Sequence, residues 1–355
     1  MTKSKKTNPM KTQKWLQLPL DGCVSSNGKP YQVSIKKGPV NKLLINFVGG
    51  GLSWNEETAT KPVTIGALIK KKEFYYIANV LPLQLKLINI GILSEKDKRN
   101  PFHNWSVLTI PYSSGDFHMG NNDYSYKDSK GKDKTLHHHG EKNVSAALSI
   151  LKELLPETPE TLVIAGQSAG GFGCLAHSPQ ISKLYPQCNN IVVYSEVSHF
   201  RWPLWPEIAE NVWKVRPDLM AYIKSNNLVV DLFHYAKDNM PSSTLFLHMN
   251  TVWDKELTSI MYKMNHDKKE VNPQGLEEFH LSLVDAVSTL KKDIPKYHYY
   301  LTDYGKSPKD GTTPHTVSGS SRLFYAEMED GVSLANWLCK ATEGMATDVG
   351  SKFMV

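Results

Sequence analysis

Residues 161–173, TLVIAGQSAGGFG, constrain the fold of this chain more than any other stretch. An aliphatic, partly β-branched run stops at Gly166, and Ser168 follows between small residues, before Gly170, Gly171 and Gly173. Read as strand, sharp turn and helix start, the pattern predicts a nucleophile elbow, in which the serine takes a strained conformation. The flanking glycines are required there because a Cβ would collide with the adjoining strand or helix. An ordinary Gly/Ser turn is the competing reading, and the strand before and helix after Ser168 argue against it.

A serine hydroxyl becomes nucleophilic only when a base removes its proton, and a histidine base needs an acid to fix its tautomer. In α/β-hydrolase order the acid follows the serine and the histidine comes last. Asp254, after the apolar run TLFLHM at 244–249, meets the acid's position, and Glu196, after IVVYS, is the second candidate. His315, in the loop segment GTTPHT, is placed to be the base, whereas His280 and His298 fall within a predicted helix and strand. Upstream, KLLINFV at 42–48 runs into Gly49, Gly50 and Gly51. Glycines after a buried strand let backbone N–H groups approach a developing oxyanion, so Gly50 or Gly51, with Ala169, are the expected donors. A phosphate loop would need a longer glycine spacing with Lys and Ser/Thr, which Leu52, Ser53 and Trp54 do not supply.

Further strands are expected at 31–36, 105–111, 191–196 and 297–303, with helices from Asn143 to about 155 and over 332–341. Strands alternating with helices predict an α/β fold, α/β-hydrolase-like, with a mostly parallel central sheet flanked by helices. Residues 64–92 read as helical pieces and loops at the sheet edge, and the polar stretch up to Lys134 as an exposed loop. Residues 1–20 read as a loose leader and irregular lead-in, and 21–355 as one catalytic domain. Within it, 198–240 carries Trp202, Trp205, Trp213, Phe233 and Tyr235, an aromatic content expected of a helical cap or loop insertion over a cleft. Polar residues after the 105–111 strand make Asp116, His118 and Asn121 candidates for substrate contact or support, together with Trp54, Glu196 and His138. His137, His138 and His139 are adjacent and cannot all face one ion, so no metal is expected, nor any cofactor.

The net charge of +6 on 355 residues, spread over loops and the first fifteen positions, excludes a dedicated nucleic-acid binder. No apolar stretch approaches a membrane span, and the basic amino terminus lacks the apolar region of a signal peptide. The four cysteines, Cys23, Cys174, Cys188 and Cys339, show no metal spacing, and free thiols in a reducing, cytoplasmic setting are expected.

Taken together, the glycine triplet, IPYSSGDFHMGN, HHHGEKN, GQSAGGFG, the Trp253-Asp254 pair and the late His315 resemble, in order, the pectin acetylesterase and Notum family of serine carboxylesterases. The resemblance runs from about Cys23 to His315. It implies an α/β-hydrolase-type fold, a Ser168, Asp254 and His315 triad, an oxyanion hole of Gly50, Gly51 and Ala169, and no metal. Secreted relatives carry cysteines where this chain has Ser53 and Ser113, which marks it as a cysteine-poor, bacterial-type member. The function so implied is hydrolysis of an acyl ester, O-acetyl for preference and carried by a small molecule or carbohydrate, through an acyl-enzyme. A non-catalytic binding protein on the same fold, or a thioesterase or amidase using the same triad, are the alternatives; the oligomeric state is open.

Overall fold

A computed structural model describes residues 14–79 and 89–355; residues 1–13 of the leader and lead-in expected at 1–20 and part of the edge segment expected at 64–92 lie outside them. An eight-stranded sheet organises the chain. It is built from β1 (Trp15–Val24), β2 (Pro30–Lys36), β3 (Lys42–Phe47), β4 (Ser106–Ile110), β7 (Thr161–Gln167), β8 (Asn190–Glu196), β9 (Leu245–Thr251) and β10 (Tyr297–Thr302), in the order β1-β2-β4-β3-β7-β8-β9-β10. β1, β2 and β4 pair antiparallel, and every pairing from β4 to β10 is parallel. The central strands are buried along their length, β7 at every position, which is why they read as continuous apolar runs rather than alternating ones.

Helices α1 (Gly140–Leu154), α2 (Ala169–Leu184), α3 (Leu228–Asn239), α4 (Lys255–His266), α5 (Pro273–Asp293) and α6 (Leu334–Thr342) flank the sheet. The mostly parallel α/β architecture is the one expected. α2 carries the elbow; it is buried on nearly all sides because it packs on β7, β8 and α3 at once.

Four local expectations change. The lead-in before residue 21 is not irregular: Trp15 begins an edge strand, where Pro19 is tolerated because one side of an edge strand needs no hydrogen bond. The polar stretch before Lys134 is not a loop but a hairpin of β5 (Asn122–Lys127) and β6 (Asp133–His138), turned at Asp128 and at Gly131, whose φ is +74°. α1 starts three residues before Asn143, because the cap comes from a distant residue: Asp116 Oδ2 accepts the Gly140 N–H at 2.9 Å. Asn143 instead donates from Nδ2 to Val24 O at 2.9 Å. Finally, Trp205, Trp213 and Phe233 of 198–240 are fully buried; the two indole rings join the main core at Phe117 and Phe233 joins it at Phe246, His248 and Tyr297, rather than walling a cleft. No helix among the described residues is long and apolar enough to cross a membrane.

Candidate active site

β7 ends at Gln167 and α2 begins at Ala169, so Ser168 makes the whole turn, at φ 54° and ψ −125°. Its N–H donates to Glu196 O at 2.8 Å and its carbonyl accepts from Gly171 N at 2.8 Å. A non-glycine residue at φ above zero costs of order 1–3 kcal/mol and persists only where the surroundings hold it. Here they do. A Cβ on Gly166 would meet the Gly170 carbonyl, and one on Gly170 would meet the Phe47 carbonyl, so only glycine lets strand, turn and helix approach this closely.

Beside the elbow, β3 runs out into Gly49, Gly50 and Gly51. Residues 75–77 pin this loop: Leu52 N donates to Tyr75 O at 2.9 Å and Ile77 N to Gly50 O at 2.8 Å. Among the described residues the N–H groups of Gly50, Gly51 and Ala169 have no acceptor. These are the donors a developing oxyanion would require.

His315 sits in the long connection after β10, with its side chain 23% exposed. Its Nδ1 lies 2.8 Å from Asp254 Oδ2, and Asp254 is fully buried. Asp254 is also the N-cap of α4, accepting from Leu257 N at 2.9 Å, so one oxygen holds the helix and the other the imidazole. The two loops are tied together by Thr313 N donating to Trp253 O at 2.9 Å and Thr251 Oγ1 to Pro314 O at 2.8 Å. Burial works against a charged imidazole, but the Asp254 carboxylate, with Glu256 and Glu196 farther off, outweighs it and holds the His315 pKa above its ordinary value.

Glu196, the second candidate for the acid, is equally buried but does other work. Its Oε1 accepts from Val317 N at 2.6 Å and Ser318 N at 3.0 Å, and its Oε2 from Tyr194 OH at 2.8 Å. It therefore fixes the chain just beyond His315, while its backbone carbonyl holds Ser168.

Ser168, His315, Gly50 and Gly51 all line one cavity of about 560 Å³. The remaining wall is mostly apolar, with Phe74, Tyr75, Phe117, Phe200, Leu257 and Ile260 prominent. Polar contributions come from Asn46 and Gln167, hydrogen-bonded to each other at 2.7 Å, and from Glu256 and Lys269. Lys269 Nζ donates to Phe74 O at 2.8 Å and stands 4.6 Å from the Tyr75 ring.

None of the six support candidates lines this cavity. Asp116 is buried inside its own loop, accepting from Ser114 Oγ at 2.6 Å, His118 N at 3.0 Å and Gly140 N, with burial pushing its pKa up to about 6 despite those bonds. His118 is buried with Nε2 3.0 Å from Val48 O, and burial lowers its pKa to about 3. His138 is buried with Nδ1 2.9 Å from Ser114 O, Asn121 is exposed, and Trp54 packs edge-on to Tyr75 and Trp202. These residues brace the loops around the site. The lining residues that sequence reasoning missed come from separate segments, and a local signal existed only for Phe117, which follows Asp116 directly.

The four cysteines are free thiols, Cys23, Cys174 and Cys188 buried and Cys339 partly so.

Comparison with curated proteins returns no match. Among solved structures, the Wnt deacylase Notum from Drosophila is similar, with a TM-score of 0.61 at 15% identity over 93% of each chain. At that identity the likeness concerns the fold, which is α/β-hydrolase-like. The pectinacetylesterase family model matches residues 21–200, just over half of the chain and including the end of β1 and all of β2 to β8 with the glycine loop and the elbow. The chain therefore belongs to the pectinacetylesterase family and is a carboxylic ester hydrolase.

Proposed function

We propose that the chain hydrolyses esters by acyl transfer through Ser168, with His315 as base, Asp254 as its orienting acid, and Gly50, Gly51 and Ala169 as oxyanion donors. The observation that carries this reading is the meeting of a strained Ser168 and an Asp254-held His315 on one cavity. Ser168 Oγ attacks the ester carbonyl while His315 Nε2 takes its proton. The tetrahedral oxyanion collapses, and the alkoxide leaves with that proton. Water, deprotonated by the same imidazole, then attacks the acyl-serine, and the carboxylic acid departs with Ser168 regenerated. Each oxyanion donor contributes about 3 kcal/mol to such a transition state.

The cavity favours an acyl group longer than acetyl. About 560 Å³ of mostly apolar space lies in the range that holds drug-sized ligands, and a two-carbon acyl group would leave most of it filled by water. The preference for O-acetyl expected from the family resemblance thus gives way to an apolar chain. A series of 4-nitrophenyl esters from acetyl to long-chain tests this with purified protein. The expected result is kcat/KM rising beyond acetyl, and loss of about 10⁶ in kcat in Ser168→Ala. A maximum at acetyl contradicts the acyl assignment, and turnover retained in Ser168→Ala contradicts the mechanism.

A further inference from the structure

The histidine run separates by strand alternation. His138, on the inner face of β6, is buried against Ser114 O, whereas His137 and His139 emerge together on the other face. Their rings are 5.1 Å apart between centroids. Asp123 is the cross-strand partner of His137 in the hairpin. Its Oδ1 lies 2.5 Å from His137 Nδ1 and 2.8 Å from His139 Nε2. One carboxylate oxygen and two imidazole nitrogens thus converge within 4.8 Å of one another, from side chains 60%, 26% and 15% exposed. The three adjacent histidines do not all face one ion, as expected of a run, but two of them share a face because they are two residues apart.

We propose that Asp123, His137 and His139 bind a transition-metal dication of the zinc type, with water completing its coordination. Two imidazoles and one carboxylate suit zinc, nickel or copper rather than magnesium or calcium, which prefer oxygen. Bonds of about 2.0–2.1 Å at tetrahedral angles put ligand atoms about 3.3 Å apart, so the present contacts need to widen by under about 1 Å. The ligands stand on braced backbone. His137 N donates to Ser26 O at 3.0 Å, Asn121 N to Trp213 O at 2.8 Å, and the His139 carbonyl, just before α1, accepts from Asn143 N at 2.9 Å. None of the three residues lines the catalytic cavity, so the ion clamps the hairpin to the start of α1 and takes no part in ester hydrolysis.

The test uses untagged full-length protein, stripped with chelator and titrated with zinc chloride by calorimetry and with cobalt chloride by visible absorbance. A single saturable ion per chain is expected, with intense cobalt bands of a low-coordinate site and a melting temperature raised by several degrees in zinc. Asp123→Asn and His139→Gln should each weaken binding at least about tenfold, while His266→Gln, an exposed histidine paired with Glu278, should not. No saturable binding to the wild type overturns the proposal, as does full affinity in a His137→Gln, His139→Gln double variant. Should those variants fail to fold by circular dichroism, the wild-type cobalt spectrum still decides it, a featureless spectrum counting against the site.

Discussion

Glu196 and Asp254 are two buried carboxylates that serve the same loop, and their hydrogen bonds divide the labour between them. Asp254 holds His315 Nδ1, and Glu196 holds the N–H groups of Val317 and Ser318. Asp254→Asn is expected to lower kcat by about 10⁴, since an amide favours the wrong imidazole tautomer. Glu196→Gln is expected to act mainly on stability, by about 1–3 kcal/mol, through the bonds it weakens. The pH profile separates the two further. His315 must be neutral to act as base, so kcat/KM should rise with pH through a midpoint above the ordinary histidine value of about 6.5. In Asp254→Asn the carboxylate's pull is gone, burial prevails and the midpoint should fall. A milder effect from Asp254→Asn than from Glu196→Gln would reverse the assignment. Ser168, Asp254 and His315 can be picked out as candidates from the sequence because each stands at the end of a recognisable strand or in the loop beyond it, and the fold sets Ser168 and His315 on one cavity with Asp254 bonded to His315. For Asp116, His118 and His138 the sequence leaves two roles open, because polar residues after a core strand can face a substrate or brace their own loop, and their packing favours the second.

At the scale of elements, buried strands were readable and edges were not. β3, β7, β8 and β9 are buried on both faces and match the apolar runs to within a residue or two. β1 was hidden by Pro19 and by Asp21-Gly22, signals that ordinarily end a strand and are tolerated at a sheet edge. The β5–β6 hairpin was hidden by its charge, though Tyr124 and Tyr126 alternate with polar residues and Asp128 to Gly131 carries turn chemistry. The start of α1 could not be read locally, because its cap is Asp116, twenty-four positions earlier in the chain. The aromatic content of 198–240 was visible, but not which way it faced. Trp205 and Trp213 complete the core beneath Phe117, so this segment supports the cavity floor and only Phe200 of its aromatic residues reaches the lining.

At the scale of the whole molecule, several imidazoles are sealed in the core as neutral groups. Burial lowers the pKa of His118, His199 and His248 to about 3 in the fold. Unfolded, each titrates near 6.5, so the unfolded chain binds more protons between those values and stability falls as pH drops through that window. Three such groups remove at most about 4 kcal/mol per pH unit once below their unfolded pKa. His315 and Asp116 have the opposite sign, their raised pKa values favouring the fold at low pH, but they are two groups against the three named. The urea midpoint should therefore be lower at pH 5 than at pH 7.5, and equal midpoints would contradict the neutral burial. The catalytic claim itself converges on a single atom, Ser168 Oγ. Labelling with a fluorophosphonate ester, followed by peptide mass mapping, tests it most directly. The account predicts a single adduct on Ser168, lost in Ser168→Ala and slowed in His315→Ala; an adduct on another residue, or unimpaired labelling of Ser168→Ala, would contradict it.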